Sequence, residues 1–142
     1  MAQLALSKLQ KEITQCEACP RLREHCKQVA QVKRRAYLDW DYWGRPVPSF
    51  GDENARLLLI GLAPGAHGAN RTGRMFTGDA SGDFLFRTMH KAGFASQAEG
   101  RQAGDGLKLL DSILRGLEGV LRLITSRRRK SWLIAVPILK KS

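Results

Sequence analysis

An uninterrupted apolar run near the middle of the chain most constrains its fold. Residues 56–62, Arg-Leu-Leu-Leu-Ile-Gly-Leu, have the pattern of a strand that is buried on both faces of a parallel sheet. Residues 63–82 follow it as a long loop that is rich in Gly and Ala and shows no periodicity. Because ligands of open α/β sheets bind at the carboxyl ends of strands, this loop is the first candidate for a functional site.

Helical patterns flank the strand. Apolar residues at roughly helical spacing predict an amphipathic helix over residues 3–14: Leu4, Leu6, Leu9 and Ile13. A second helix is predicted over residues 82–91, followed by Gly93, with three side chains facing inward: Phe84, Leu85 and Met89. Residues 39–51 mix aromatic residues with Pro and Gly and predict an ordered loop. A chain of 142 residues has room for one α/β domain with one core.

The net charge of +11 favours a polyanionic partner, because clustered Lys and Arg bind phosphates by releasing counterions. Residues 117–142 hold seven basic residues and one acidic residue, which leaves +5 of the total for residues 1–116. That charge fits nucleic acid, and it also fits a solvated surface. No apolar run approaches the roughly 20 residues that span a bilayer, and the start lacks a secretory signal pattern. We therefore expect a cytoplasmic protein with no membrane partner.

Cys16 and Cys19 form a Cys-x-x-Cys pair, which in a cytosolic protein favours metal or redox chemistry over a structural disulfide. A closed metal or cluster site usually needs four ligands, and the only other cysteine, Cys26, lies seven residues beyond Cys19. Free thiols near a helix end are therefore the alternative interpretation.

The loop after the strand contains many small residues: Gly61, Ala63, Gly65, Ala66, Gly68 and Ala69. Small residues let the backbone approach a ligand closely and present its N–H groups. The segment contains neither the Gly-Lys-Ser/Thr of a Walker A loop nor the Gly-x-Gly-x-x-Gly of a dinucleotide turn. Phosphate binding is therefore not the first interpretation.

Three motifs together resemble the family 5 uracil-DNA glycosylases, the iron–sulfur type within the uracil-DNA glycosylase superfamily. They are Cys-x-x-Cys-Pro-Arg-Leu at residues 16–22, Asp-Tyr-Trp-Gly-Arg-Pro-Val-Pro at residues 41–48, and the loop at residues 61–82. The resemblance covers residues 10–112 and implies a three-layer α/β/α fold with a central parallel sheet. It also implies hydrolysis of the bond between deoxyribose and uracil or another deaminated base. The implied partner is DNA that contains such bases, and we expect a monomer.

The same resemblance assigns roles to individual residues. Cys16 and Cys19 are the implied ligands of a 4Fe-4S cluster, with Cys26 as a non-ligand. Phe76 is the implied stacking platform for a flipped base. The implied substrate-binding set is Gly61, Ala63, Pro64, Gly65, Ala66, His67 and Phe76.

Asp79 resembles the acidic family residue that is proposed to position the attacking water, since no carboxylate follows the strand directly. His67 is a candidate donor to a uracil carbonyl or a phosphate, and Arg71 and Arg74 are candidate phosphate contacts. Each assignment has a plain alternative. In the alternative interpretation, Phe76 is a core residue and Asp79 or Ser81 only caps the following helix. His67 is then a surface residue, and both arginines are solvated.

The end of the chain does not continue the resemblance. We divide the chain into residues 1–112, the N-terminal portion of a glycosylase-like domain, and residues 113–142, a basic tail. Family members continue with two more cluster cysteines, a uracil-reading Asn and a later His-containing motif. A shifted reading frame permits a string with both cysteines and the Asn from the Gly119/Val120 junction to the Lys141/Ser142 junction.

We therefore expect a frameshift between about Ser112 and Glu118. With two of the four cluster ligands, the 142-residue chain is expected to hold no stable cluster and to show little or no glycosylase activity. The alternatives to an enzyme are a non-enzymatic nucleic-acid-binding protein and a truncated product without a function of its own.

Overall fold

A computed structural model gives the backbone of residues 2–116 and 133–137 and the side chains of residues 7–116. These parts of the chain contain a 3₁₀ turn at Arg35–Tyr37 and the following helices and strands: α1 (Ala2–Thr14), α2 (Pro20–Val32), α3 (Ala69–Thr72), α4 (Ala80–Lys91), β1 (Phe50–Gly51), β2 (Leu57–Gly61), β3 (Ser112–Gly116) and β4 (Leu133–Pro137). The predicted first helix, central strand and second helix are confirmed as α1, β2 and α4. α2 was not predicted, although Pro20 at its first turn is a common start signal.

The strands form one mixed sheet in the order β1-β3-β2-β4. β2 and β3 are parallel, with Leu59 opposite Leu114, whereas β1 pairs with β3 and β4 pairs with β2 in antiparallel fashion. The predicted α/β class is confirmed, but the predicted central sheet is parallel only between β2 and β3. Antiparallel edge strands often flank a parallel pair in such sheets.

The predicted boundary at residue 112 falls on the first residue of β3, which continues the sheet to Gly116. β4 lies inside the predicted basic tail. The frameshift prediction concerns residues that fall largely outside the described ranges, which resume only at residues 133–137.

The two faces of β2 meet different surroundings, because successive side chains of a strand point to opposite faces. On one face Leu59 joins a buried core that includes Leu114 of β3 and Phe86 of α4. On the other face Leu58 and Ile60 line a cavity of about 410 Å³, whose wall also includes residues of α1 and α2. Helical residues therefore lie on both sides of the sheet.

α4 packs on the sheet through a stripe of buried residues at helical spacing, Leu85, Phe86 and Met89. The predicted inward position of Phe84 is wrong. Its side chain is 73% exposed, because residue 84 falls outside this stripe. Within the described residues, no helix has both the length and the apolar composition needed to cross a membrane.

A side-chain amide fastens α1 to the loop before β1. Gln10 Nε2 donates to the Ser49 carbonyl at 2.8 Å, and Gln10 Oε1 accepts from the Ser49 N–H at 2.7 Å. The amide thereby satisfies both backbone polar groups of Ser49 at a half-buried position, as a neighbouring strand would.

We expect Gln10→Ala to lower the free energy of unfolding by about 1–2 kcal/mol, because it removes the partners of two backbone groups. Gln28→Ala is the matched control, since Gln28 lies exposed on α2 and donates to Glu24 one turn away. The control is expected to change stability by less than about 0.5 kcal/mol. Urea unfolding followed by circular dichroism measures both, and equal losses would contradict this role of Gln10.

Candidate active site

The loop that follows β2 is folded over the carboxyl end of that strand. It contains the short helix α3 and ends at Asp79, which starts α4. Asn70 anchors the loop, because its Nδ2 donates to the carbonyl of Cys26 in α2 at 3.2 Å and to that of Ala66 at 3.4 Å. The predicted irregular loop is therefore a fixed structure that is tied to a neighbouring helix.

Asp79 uses its two carboxylate oxygens differently. Oδ1 accepts from the Gly82 N–H at 2.9 Å and so caps the amino end of α4. Oδ2 faces the loop, since a Cβ atom added at Gly65 would lie 2.6 Å from it and one at Gly68 closer still. The capping role is therefore observed, and the second oxygen points towards the loop that the sequence marked as a substrate site.

Phe76 lies at the carboxyl end of β2. A Cβ atom at Gly61 would lie 2.8 Å from Cζ of the Phe76 ring, so only glycine permits this packing. The ring is half-buried against the core, and its backbone has a φ of 52°, a conformation uncommon for an aromatic residue. Strained backbone of this kind is concentrated at functional sites.

His67 is held by an aromatic residue from outside the loop. Its Nδ1 lies 2.9 Å from the hydroxyl oxygen of Tyr42, and the two rings meet edge to face. Desolvation lowers the pKa of His67 below its usual value, and the charges of Arg34 and Arg71 lower it further. The imidazole is therefore neutral near pH 7.

Arg71 is buried within the loop and is only 4% exposed. Its guanidinium carbon lies over the rings of Tyr37 and Trp40, at 3.9 and 4.1 Å from their centroids, in the corner that these nearly perpendicular rings form. Its Nε donates to the carbonyl of His67 at 2.6 Å, and a terminal nitrogen donates to that of Gly78 at 3.2 Å. The predicted phosphate contact does not fit this geometry, because the cation already closes the loop.

Arg74 is also buried, at 6% exposure, and forms a two-pronged ion pair with Asp105 at 2.7 and 2.9 Å. Its Nε donates to the hydroxyl of Thr77 at 2.8 Å. The hydrogen bonds that Asp105 accepts from Arg74 hold the pKa of its carboxyl group well below the usual range. The predicted phosphate contact of Arg74 does not fit either, because its charge is compensated inside the protein.

The remaining residues of the predicted substrate-binding set lie along the same loop. Gly61 is buried, Gly65 and Ala66 are half-buried, and Ala63 is exposed. Pro64 is half-buried and lines the cavity on the opposite side of the sheet from α4. The structure thus gathers Gly61, Gly65, Phe76 and Asp79 at the carboxyl end of β2 and turns Pro64 towards α1 and α2.

The three cysteines line the same cavity as Pro64. Cys16 and Cys19 are half-buried and Cys26 is buried. The Nε atom of Arg23 in the same wall is buried and has no hydrogen-bond partner among the described residues, so this donor suits an anionic occupant. Within the described ranges, however, no three His, Cys, Asp or Glu side chains are placed to hold a metal ion. The described residues therefore do not fit a complete four-ligand cluster site.

Sequence reasoning missed the aromatic residues that support the loop. Tyr37, Trp40 and Tyr42 hold Arg71 and His67, and the backbone N–H groups of Trp43 and Gly44 donate to α3. The aromatic composition of residues 39–51 indicated an ordered loop, but it did not show which residues that loop would contact.

The site therefore consists of a carboxylate, an aromatic ring and a glycine-rich loop at the carboxyl end of a parallel strand. Residues 48–130 match the family described as the uracil DNA glycosylase superfamily, and the chain belongs to that superfamily. This membership confirms the resemblance drawn from the three sequence motifs.

Within the superfamily the chain is similar to type-5 uracil-DNA glycosylases. It is 55% identical over 104 residues to the one from Mycobacterium leprae, covering 73% of this chain and 45% of that protein. It is 55% identical over 97 residues to the one from Thermus thermophilus, covering 68% of this chain and 43% of that protein. It is 46% identical over 97 residues to the one from Pyrobaculum aerophilum, covering 68% of this chain and 42% of that protein. The chain spans less than half the length of these relatives.

The ion pair of Arg74 with Asp105 predicts a pH dependence of stability. The pKa of Asp105 is lower in the folded chain, so its carboxylate stabilises folding above about pH 4, the ordinary pKa of Asp. This contribution is lost as the pH falls from that value through the folded pKa. The urea midpoint of the wild type is therefore expected to fall more between about pH 6 and about pH 3 than that of Asp105→Asn.

Asp105→Asn is also expected to cost about 3–5 kcal/mol near neutral pH, because it leaves the buried Arg74 without a counter-charge. Asp39→Asn is the control, since Asp39 is exposed, and its pH dependence is expected to follow the wild type. If the urea midpoint of Asp105→Asn falls between these pH values as much as that of the wild type, the ion pair is not the cause of the pH dependence.

Proposed function

We propose that this chain provides the base-binding and water-positioning parts of a uracil-DNA glycosylase site. The substrate is DNA that contains uracil or another deaminated base, and the reaction is hydrolysis of the bond between that base and deoxyribose. The observation that carries the proposal is the divided use of Asp79: one carboxylate oxygen fixes the side chain on α4, and the other faces the loop.

The reaction requires the base to leave the helix stack and enter the loop. The ring of Phe76 is the surface on which the flipped base stacks. The glycines of the loop leave room for the loop backbone to approach that base. The second oxygen of Asp79 accepts a hydrogen bond from a water and directs the water oxygen to the sugar C1′. The bond to the base breaks with its electron pair leaving on the base, and the carboxylate stabilises the positive charge that develops on the sugar. The water oxygen then forms the new bond to C1′ while its proton passes to Asp79, and the departed base anion takes a proton from solvent.

The fixed orientation of Asp79 supports this role. Its side chain is already held by the Gly82 N–H, so the second oxygen does not need to reorient when the sugar becomes positive. The loop is equally constrained, because Arg71 joins the carbonyls of His67 and Gly78. The fixed carboxylate and the closed loop both favour catalysis of base excision over DNA binding without a reaction.

The alternative of a non-enzymatic nucleic-acid binder is not favoured. It relied on the basic tail and on Arg71 and Arg74 as phosphate contacts. The basic residues of the tail lie outside the described residues, and both loop arginines are buried in contacts within the chain. Arg34, which is exposed and whose charge acts on His67, is a better candidate to meet a DNA backbone beside the loop.

We further propose that Cys16 and Cys19 are two ligands of the 4Fe-4S cluster that the family resemblance implies. The pair lines a cavity whose wall also includes Arg23, and Nε of Arg23 has no hydrogen-bond partner among the described residues. The described residues supply no complete ligand set, so no step of the reaction is assigned to the cluster.

The 142-residue chain is therefore expected to bind iron well below about four per chain after anaerobic reconstitution. Iron analysis together with the visible absorbance of the product measures this. Cys16→Ser is expected to lower the iron content further, and Cys26→Ser is expected to leave it unchanged. A full complement of iron in the wild type would contradict the expectation.

Excision of uracil tests the proposed function directly. The sequence alone predicts little or no activity, and the assembled loop narrows this expectation to slow but measurable activity. In single-turnover reactions with a uracil-containing oligonucleotide, the chain is expected to give slow alkali-sensitive cleavage at the uracil and none at thymine in the same position. Asp79→Asn retains an oxygen that caps α4 but loses the charge, so the rate is expected to fall about 10²-fold or more with an unchanged melting temperature.

Asp83→Asn is the matched control, because Asp83 is an exposed carboxylate in the first turn of the same helix. It is expected to keep the wild-type rate. Equal rates for the wild type and Asp79→Asn, or tight binding to uracil-containing DNA without any cleavage, would contradict the proposed function.

A further inference from the structure

The contacts of the Tyr42 hydroxyl favour one direction for its hydrogen bond with His67. The hydroxyl oxygen lies 3.3 Å from the backbone nitrogen of Arg34 and 2.9 Å from His67 Nδ1. A backbone N–H can only donate, so the hydroxyl oxygen accepts that bond and keeps its own proton to give. This arrangement favours Tyr42 as the donor and Nδ1 as the acceptor.

The surroundings of His67 agree with this direction. The charged groups that act on the imidazole are Arg34, from the segment after α2, and Arg71, from α3, and both oppose a second proton on the ring. A neutral imidazole that accepts at Nδ1 carries its proton on Nε2. Among residues 7–116, whose side chains are described, no hydrogen bond to Nε2 is found.

We propose that Tyr42 is a positioning residue that holds His67 as the neutral tautomer protonated on Nε2, and that this N–H is the loop's donor to a carbonyl oxygen of the bound base. The proposal rests on the proposed function and names one further contact of that site.

The chemistry of the reaction gives such a donor a purpose. As the bond to the sugar breaks, negative charge develops on the base and spreads to its carbonyl oxygens. A fixed N–H group beside such an oxygen forms a stronger hydrogen bond in the transition state than in the bound substrate. His67 lies between Gly65 and Gly68 in the loop, and both of these glycines face Asp79, which is why we assign the donor to the same site as the carboxylate.

A merely structural role for Tyr42 predicts a different result. If Tyr42 only anchored the segment after α2, its hydroxyl would affect stability but not the proton on His67. The tautomer therefore separates the two roles, and imidazole nitrogen shifts report it directly.

The experiment uses the ¹⁵N-labelled full chain and long-range ¹H–¹⁵N correlation spectra near neutral pH, with His67 assigned through His67→Gln. The wild type is expected to show an unprotonated Nδ1 and a protonated Nε2. In Tyr42→Phe both nitrogen shifts are expected to move towards averaged values, and the protonation midpoint is expected to rise. Tyr37→Phe is the matched control, because it removes the hydroxyl of the chain's other tyrosine and keeps the ring over Arg71.

Two results of this first part would overturn the proposal: a proton on Nδ1 in the wild type, or a wild-type pattern in Tyr42→Phe. A second part adds single-stranded oligonucleotides that contain uracil or thymine at the same position. Uracil is expected to shift the Nε2 resonance of His67, and thymine is not.

The second part distinguishes the inference from the function on which it rests. If uracil-containing DNA binds and shifts other loop resonances but not Nε2, the donor role is overturned and the proposed function stands. If neither oligonucleotide binds, the proposed function and the donor role are overturned for this chain. The nitrogen shifts of the first part then still decide whether Tyr42 positions His67.

Discussion

A buried cation, Arg71, holds together the two ends of the loop after β2. Its guanidinium lies over the rings of Tyr37 and Trp40 and donates to the carbonyls of His67 and Gly78. These carbonyls lie on opposite sides of α3 in the sequence, so one side chain closes the loop and fastens it to the segment after α2. Burial of a charge is unfavourable unless other groups compensate it, and here two aromatic faces and two carbonyl oxygens do so.

The closed loop fixes the two groups that carry the proposed chemistry. Phe76 and Asp79 stand on either side of Gly78 in the sequence, so the bond from Arg71 to the Gly78 carbonyl restrains the backbone between them. Phe76 is further fixed by its packing on Gly61, and Asp79 by its cap of α4. A site with this many internal restraints favours a single geometry, which suits the stabilisation of a charge that exists only in the transition state.

Local patterns in the sequence predicted the elements whose signals are local. The apolar run of β2 and the caps of α4 lie within a few residues of the elements they define. The predicted cap at Asp79 is confirmed, and its role as a reacting group stays a prediction. The burial of Arg74 was not predictable in this way, because its partner Asp105 lies 31 residues further along the chain. The antiparallel edges of the sheet depend on similarly distant pairing.

The cavity that contains the cysteines and the loop that contains Asp79 are connected through two residues. Pro64 belongs to the loop and lines the cavity, while Asn70 of α3 donates to the carbonyl of Cys26, whose side chain lines the same wall. The cavity lies on the face of β2 opposite the core that supports Phe76. On the proposed function, a group that fills this cavity would act on the loop through α2 and Pro64, because Phe76 and Asp79 lie at the end of the strand and not in the cavity wall. The proposal therefore gives the cysteines a supporting role and assigns the chemistry to the loop.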